Sequence, residues 1–241
     1  MCGIAGAINY SLSDEKKSEV IESLRHRGPD SQSSFQSEDG NIWLAHTRLS
    51  IIDLSNDASQ PMSSVCGRWK IVFNGEIYNY IELRNQLISE GCIFKTQSDT
   101  EVFLVGLIKY GPNFQLKCNG MWAFCLWDSE KNETLFGRDR FGKKPLFYAE
   151  FKGGLVFASE MKAMIKMLGK ACPSNIVNKI FSGSNIFKFE YLETTVLKNV
   201  NKILPGHYGF YKNCILEKYR WWCTLDHLVD VPKKYDDQVK I

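Results

Sequence analysis

The feature that most constrains the fold is a short apolar strand at the start of the chain. Residues 3–9 read Gly-Ile-Ala-Gly-Ala-Ile-Asn, which is small and apolar with no polar alternation. Such a short run is typical of a buried strand. We therefore predict a buried strand that begins directly after Cys2.

The order of the later elements predicts the fold class. Apolar periodicity indicates helices at 14–24, 83–88, 102–110 and 160–168, and strands at 42–52, 69–73, 121–127, 134–138, 146–150 and 155–158. Strands that do not alternate regularly with helices argue against a doubly wound parallel sheet. A layered α+β domain over residues 1–170 fits this order. Residues 171–241 are polar and aromatic in patches, and predict an extension packed on that domain.

Composition excludes several classes of protein. The 241 residues are 44% hydrophobic and carry a net charge of +3 with interspersed signs, so neither nucleic acid nor a membrane surface is indicated. No apolar run approaches the roughly 20 residues that span a bilayer. The start has no signal-peptide pattern. The eight cysteines form no CxxC pair or zinc-type cluster, so we expect no metal site, and mostly reduced, buried thiols in a cytoplasmic protein.

Cys2 has a position that suggests chemistry. Its small side chain permits removal of Met1, which would leave a thiol and a free α-amine on the same residue. Such an amine can take the thiol proton, directly or through one water. Its ordinary pKa of about 8 suits a base that works near neutral pH. On this tripeptide alone, an accident of position would be the better interpretation.

Three other short patterns each have a plain structural interpretation. Asn74-Gly75 after a strand is usually a tight turn. Residues 25–30, Arg-His-Arg-Gly-Pro-Asp, read as a charged turn after a helix. Residues 98–101, Ser-Asp-Thr-Glu, read as a capping box, in which Asp99 needs no role beyond favouring a helix N-terminus.

Taken together, these and other stretches form a specific joint pattern. They are MCGIAG at 1–6, RHRGPD at 25–30, RLSIIDLS at 48–55, QPM at 60–62, NGEIYNY at 74–80, SDTE at 98–101, GRDRFGKKPLFY at 137–148 and ASEMKAM at 158–164, with weaker ILPGH and YRWW matches that reach to 222. In this order and spacing the sequence resembles the glutamine-hydrolysing asparagine synthetases, in their N-terminal class II glutamine amidotransferase domain. The loop sequences RHRGPD, RLSIID and NGEIYN differ from those of the family branches that amidate fructose 6-phosphate or phosphoribosyl pyrophosphate.

The resemblance implies a fold and a reaction. The fold is a four-layer αββα sandwich of the N-terminal nucleophile hydrolase type, with two antiparallel sheets between helical layers. Cys2 would attack the side-chain amide of glutamine, expel ammonia and leave a γ-glutamyl thioester that water hydrolyses to glutamate. The Asn74 side chain and the Gly75 N–H would stabilise the oxyanion.

The resemblance also implies how glutamine is held. Arg48 would clamp the α-carboxylate and Asp99 would face the α-ammonium, assisted by Glu76 and by main-chain groups near Ile52 and Ser98. Other polar residues are assigned no chemistry: a structural or gating role for Arg25, His26 and Arg27, packing or hydrogen bonding for His26 and His46, and a buried polar network behind the sheets for Arg138, Asp139 and Arg140.

One departure from the family concerns the second half of such enzymes. Asparagine synthetases continue into an ATP-pyrophosphatase domain with a Ser-Gly-Gly-x-Asp-Ser loop, and no such loop occurs here. We therefore expect a truncated chain, in which residues 171–241 lead towards an absent synthetase domain. ATP and Mg²⁺ would belong to that domain, whereas glutamine hydrolysis needs no cofactor. A homodimer of the full-length enzyme stays open.

Alternatives remain at this point. Aspartate is the default acceptor of the ammonia, but the same glutaminase could serve another carboxylate, such as a sugar acid of a surface polysaccharide. From a different class, the chain could be a catalytically idle binding module. A third alternative is a folded chain whose glutamine site is disordered.

Overall fold

The computed structural model describes residues 1–151, 153–177 and 192–228. Within these residues the elements follow one another as β1 (Gly3–Ile8), α1 (Asp14–Leu24), β2 (Ser31–Gln36), β3 (Ile42–Arg48), β4 (Met62–Ser63), β5 (Trp69–Ile77), α2 (Tyr80–Ser89), α3 (Asp99–Tyr110), β6 (Gly120–Asp128), β7 (Glu133–Arg138), β8 (Phe147–Phe151), β9 (Gly154–Ala158), α4 (Met161–Leu168), β10 (Asn201–Lys202), β11 (His207–Lys212) and β12 (Ile215–Arg220).

The strands form two six-stranded antiparallel sheets. The first has the order β10-β8-β9-β1-β3-β2 and the second the order β12-β11-β7-β6-β5-β4. β1 lies inside the first sheet, between β3 and β9, and all six of its residues are buried. The prediction of a buried first strand is therefore confirmed.

Side-chain alternation along the strands creates three apolar layers. In β1, Ile4 and Ile8 pack between the sheets with Val72 of β5, whereas Ala5 and Ala7 pack against α1 and α4. Residues on the outer face of the second sheet pack against α2 and α3. A strand with apolar residues on both faces satisfies two layers at once. The result is the predicted αββα order of layers.

The start of α3 agrees with the predicted capping box in one of its two hydrogen bonds. Ser98 caps α3, since its Oγ accepts a hydrogen bond from the Thr100 N–H at 3.1 Å. The second hydrogen bond of the predicted capping box, from the Ser98 N–H to the Glu101 carboxylate, does not form, so this part of the prediction is wrong. The Glu101 carboxylate accepts from the N–H groups of Lys95 and Thr96, at 2.9 and 2.7 Å, and so stabilises the loop before the helix.

Three local expectations from the sequence are corrected. Asn74 and Gly75 form no turn, because β5 continues through them and pairs them with β6. β3 ends at Arg48 instead of continuing to residue 52. The polar strand β2 was not predicted; it lies at the edge of its sheet, where half-exposed residues show no apolar pattern.

The cysteines also differ from expectation. All eight are free, but only Cys118 and Cys125 are buried, and Cys66, Cys172 and Cys214 are exposed. The expectation of mostly buried thiols is therefore wrong. A single cysteine adds too little to the apolar pattern around it for the sequence to show whether it is buried.

The segment after residue 170 contributes to both sheets. β10 pairs with β8, and β11 pairs with β7. Main-chain hydrogen bonds thus run across the boundary predicted at residue 170. Parts of the predicted extension, at 178–191 and 229–241, lie outside the described residues. None of the described helices has the length and apolar character needed to cross a membrane.

Close packing within the first sheet requires a glycine in β1. A Cβ on Gly6 would lie 2.4 Å from the Phe157 ring and 2.7 Å from the Trp43 carbonyl oxygen. We expect Gly6→Ala to lower the free energy of unfolding by about 1–3 kcal/mol, the usual cost of overpacking. Urea unfolding would measure this.

The matched control is Gly209→Ala in β11, where the nearest atoms lie 3.1 Å from the added Cβ. Its cost should be clearly smaller. Equal losses in the two variants would show that the Phe157 ring and the neighbouring strand β3 can shift enough to admit a methyl group.

Candidate active site

A cleft with a volume of about 220 Å³ lies where the start of β1 approaches β5. The predicted site residues all line it: Cys2, Arg48, Ile52, Asn74, Gly75, Glu76, Ser98 and Asp99. They come from the ends of β1 and β3, the following loop, the middle of β5 and the N-terminus of α3. The fold therefore brings together residues that are far apart in the sequence.

Cys2 is held by main-chain contacts on both sides. The Ile4 N–H donates to Ser159 Oγ at 3.0 Å, and the Ser159 N–H donates to the Ile4 carbonyl at 2.9 Å. Arg27 Nε donates to the Cys2 carbonyl at 2.9 Å, while its Nη1 pairs with Glu160 at 2.9 Å. These contacts give Arg27 the structural role that was expected for its loop.

The surroundings of the Cys2 thiol favour its protonated form. Its Sγ lies 3.4 Å from the Leu49 N–H, which donates to it. Burial raises the pKa of the thiol above its usual value, and the Leu49 N–H and the cationic amino terminus only partly offset this. Forming a thiolate near neutral pH therefore requires a base beside the sulfur.

The pKa of the amine at the start of the chain is shifted in the opposite direction from that of the Cys2 thiol. Burial lowers the pKa of the Met1 amine, and the nearby Lys144 and Arg27 cations lower it further, while the neighbouring Cys2 raises it. A lowered pKa favours the neutral amine, which is the form that accepts a proton. The environment of the amino terminus thus suits a base.

Asn74 offers a polar group without a partner. Its side chain is fully buried, and neither its amide nitrogen nor its amide oxygen is hydrogen-bonded to any described residue. The next residue must be a glycine, because a Cβ on Gly75 would lie 2.4 Å from the Met121 carbonyl oxygen. Leaving a buried amide unpaired is costly, and this indicates a group kept for a ligand.

Arg48 is a buried cation that faces carbonyl groups. Its Nη1 donates to the Ser55 carbonyl at 2.8 Å and its Nη2 to the Asp53 carbonyl. Among the residues that the structure describes, no carboxylate lies within ion-pair distance of it. Two carbonyls engage only part of a guanidinium with five N–H donors, so donors remain for an anion.

Asp99 is the complementary buried anion. It is 6% exposed, accepts the Ile77 N–H at 2.9 Å, and has no cation within ion-pair distance in the described part of the chain. Burial raises its pKa to about 6, and the neighbouring Glu76 contributes to the rise. One unpaired cation and one unpaired anion therefore line the same cleft.

The histidines have the passive roles that were expected. His46 is buried, neither ring nitrogen has a hydrogen-bond partner among the described residues, and burial lowers its pKa to about 3. It is therefore packed as a neutral ring. His26 is half-exposed and lies 2.8 Å from the Glu160 carboxylate.

Gln60 and Lys144 are among the cleft residues that were not predicted. Gln60 bridges β5 and α3, since its Oε1 accepts the Phe73 N–H at 2.6 Å and its Nε2 donates to Thr100 at 3.3 Å. Lys144 lines the cleft beside Cys2 and is almost fully buried. The Gln-Pro-Met stretch gives no signal of a bridge, and adjacent lysines look like solvated surface charges.

Comparison with known proteins agrees with this geometry. Residues 1–222 match a protein-family model described as a glutamine amidotransferase domain. The chain is 36% identical over 212 residues to glutamine-hydrolysing asparagine synthetase 1 of Bacillus subtilis (strain 168), which covers 86% of this chain and 33% of that protein. It is 40% identical over 153 residues to a putative glutamine-hydrolysing asparagine synthetase of Mycobacterium tuberculosis (strain H37Rv), covering 60% and 23%. The chain thus spans a third or less of these two relatives.

Solved structures agree with the fold. Glutamine phosphoribosylpyrophosphate amidotransferase from B. subtilis, complexed with ADP and GMP, is similar with a TM-score of 0.69 at 19% identity, over 92% of this chain and 49% of that one. At this identity the likeness shows the fold alone. With the two antiparallel sheets, it confirms the predicted four-layer α+β sandwich.

The unpaired Asp99 carboxylate should cost stability in a pH-dependent way. Its folded pKa of about 6 lies above the ordinary 3.8, so the folded state binds the proton more tightly and stability falls as the pH rises from about 4 to about 6. The loss amounts to about 3 kcal/mol at pH 7. We expect Asp99→Asn to be more stable than the wild type in urea at pH 7, with the advantage largely gone at pH 4.

Asp57→Asn, at an exposed carboxylate on the loop beside the cleft, is the control with the same charge change. It should show no such pH-dependent gain. An Asp99→Asn protein that is no more stable than the wild type at pH 7 would mean that the carboxylate is not the uncompensated charge described above.

Proposed function

This chain belongs to the glutamine amidotransferase family, and we propose that it hydrolyses L-glutamine to glutamate and ammonia with Cys2 as the nucleophile. The observation that carries the proposal is the set of unpaired groups in one cleft. A thiol, an unpartnered amide, a buried cation and a buried anion all line it: Cys2, Asn74, Arg48 and Asp99. Each of them matches one feature of the substrate or of its transition state.

The two buried charges fit the backbone end of glutamine. An α-amino acid is zwitterionic, so it brings a carboxylate for the Arg48 guanidinium and an ammonium for the Asp99 carboxylate. Glu76 adds negative charge beside Asp99. Main-chain groups of Ile52 and Ser98, which also line the cleft, would complete the binding of the amino-acid end.

The chemical step begins after Met1 is removed. The Cys2 amine takes the thiol proton, and the thiolate attacks the side-chain amide carbon of glutamine. The negative charge that develops on the amide oxygen is stabilised by the Asn74 amide and the Gly75 N–H. Collapse of the intermediate expels ammonia, with the proton returned from the amine, and leaves a γ-glutamyl thioester. Water then hydrolyses the thioester to glutamate and restores the thiol. These steps need no metal or cofactor.

The ammonia would serve an amidation. Relatives of this chain are named glutamine-hydrolysing asparagine synthetases. Their names support aspartate as the acceptor of the ammonia, with ATP and Mg²⁺ used by a synthetase domain. In this proposal that chemistry belongs to the part of those longer relatives that this chain does not match. In this proposal residues 1–170 carry the glutaminase site, and residues 171–241 lead towards the synthetase domain.

The first test concerns Cys2 itself. We expect the purified protein to have an intact mass that lacks methionine, and to gain one stoichiometric adduct on incubation with a glutamine-mimicking diazoketone. Glutaminase activity should be lost as the adduct forms. Intact-mass spectrometry and a glutamate assay on the same sample would measure both.

Cys2→Ala is the control for the first test, and it should gain no adduct. Exposed thiols such as Cys66 serve as internal references for nonspecific labelling. Correctly processed, folded protein that neither hydrolyses glutamine nor reacts would contradict the proposal and favour an idle binding module.

A second test separates catalysis from stability at two amides of the cleft. The Asn74 amide has no partner, so Asn74→Ala should reduce kcat by about 10²–10³-fold while changing the free energy of unfolding by less than about 1 kcal/mol. Steady-state kinetics and urea unfolding would measure the two effects.

Gln60→Ala is the contrasting variant. It leaves the buried Phe73 N–H without its acceptor and should destabilise the fold by about 1–3 kcal/mol. If Asn74→Ala keeps full activity, the amide does not bind the oxyanion.

A further inference from the structure

The turn between β7 and β8 is fixed by an unusually complete set of hydrogen bonds. The Asp139 carboxylate accepts four main-chain N–H groups, those of Phe141 and Lys143 at 3.0 Å, Lys144 at 3.0 Å and Trp122 at 3.2 Å. A short surface turn does not need this much support. The Asp139 hydrogen bonds therefore indicate that the conformation of this turn matters for function.

Arg138 closes the same turn from the other side. Its guanidinium donates to the carbonyls of Lys144, Gly142 and Ile203 at 2.7, 2.6 and 2.8 Å. The polar network predicted for Arg138 and Asp139 thus exists, and its effect is to fix the main chain at residue 144.

Lys144 is the residue that this turn presents to the cleft. It is 4% exposed and lines the cleft together with Met1, Cys2 and Glu76. In the described part of the chain, its Nζ has neither a hydrogen bond nor an ion pair. Burial lowers the pKa of this ammonium, and side chains with such perturbed pKa values concentrate at functional sites.

The other two cations near the nucleophile are already engaged. Arg27 forms an ion pair with Glu160 and donates to the Cys2 carbonyl. Arg48 donates to loop carbonyls, and the α-carboxylate of bound glutamine would neutralise it. Lys144 is thus the cation beside the thiol that, within the described residues, forms no ion pair and that the proposed binding of glutamine does not engage.

We propose that Lys144 is a positioning residue for the glutaminase nucleophile: its ammonium keeps the amine beside the thiol unprotonated and stabilises the thiolate formed when that amine takes the proton. The inference rests on the proposed function. The proton moves only from the Cys2 sulfur to the Cys2 nitrogen, and Lys144 neither gains nor loses one.

The electrostatic surroundings agree with this assignment. The charged groups that act on the amine, the thiol or Lys144 come from all the packed elements, and they are Arg27, Asp30, Arg48, Glu76, Asp99 and Asp139. Among the cations, Lys144 lowers the pKa of the amino-terminal amine most. Removal of Met1 moves that amine one residue inward, onto Cys2.

The test uses protein whose intact mass shows that Met1 has been removed. The rate of Cys2 alkylation by iodoacetamide is measured from pH 6 to 9 by peptide-resolved mass spectrometry, because this rate follows the thiolate fraction. Glutaminase kcat/KM is measured over the same range. In Lys144→Met we expect both midpoints to move to higher pH by about half a unit or more, so that both rates at pH 6.5 fall about threefold.

Lys143→Met is the matched control, since it removes the same charge from an exposed neighbour in the same turn. It should leave both profiles unchanged. Lys144→Arg keeps the cation and should retain the wild-type midpoints. Relief of an unpaired buried charge should also raise the melting temperature of Lys144→Met, opposite to the effect of losing a structural contact.

The outcomes are distinguishable. Midpoints in Lys144→Met equal to those of the wild type overturn the proposal. Lys144→Gln is the second variant; if neither it nor Lys144→Met folds while Lys144→Arg does, Lys144 is structural and the proposal also fails. A Lys144-dependent alkylation profile in a protein that hydrolyses no glutamine would refute the proposed function but leave the electrostatic assignment standing.

Discussion

The apolar layer between the two sheets is the constraint on which the rest of the structure depends. Ile4 of β1 and Val72 of β5 pack in this layer, close to the residues that line the cleft. The packing fixes the separation of the two strands, and therefore the separation of Cys2 from Asn74 and Gly75. Because protein interiors are close-packed and resist deformation, a site that spans two sheets can hold its geometry without a metal or a disulfide.

The cleft concentrates groups that the fold itself leaves uncompensated. Asn74 lacks a hydrogen-bond partner, Arg48 and Asp99 lack ion-pair partners, and Lys144 has an unpaired ammonium, all within the described residues. Burying each of these groups would cost less free energy if the group were apolar or paired. The surrounding layers supply enough apolar burial to tolerate this cost. A binding site for a zwitterion requires such unpaired charges, because charges that satisfied one another would bind no ligand.

Apolar periodicity predicted most elements because burial dominates their formation. It predicted the first strand and the four helices, and the resemblance then predicted the order of layers. It could not predict β2, whose residues at a sheet edge are largely polar, or the continuation of β5 through Asn74 and Gly75, where pairing with β6 overrides the local preference for a turn. The cleft residues were predicted from the resemblance. Lys144 was not, because a lysine beside another lysine reveals its burial only through long-range packing.

The two ends of the nucleophile have opposed electrostatic requirements, and the surroundings of Cys2 address both. Burial raises the pKa of the Cys2 thiol and lowers the pKa of the Met1 amine beside it. Burial thus favours the neutral form of both groups. In the proposed mechanism, moving the thiol proton creates a thiolate in the cleft, and nearby positive charge stabilises it in a region of low dielectric. Because the same proposal pairs Arg48 with the substrate carboxylate, it leaves Lys144, on the turn at residues 139–144, as the cation that supplies this charge.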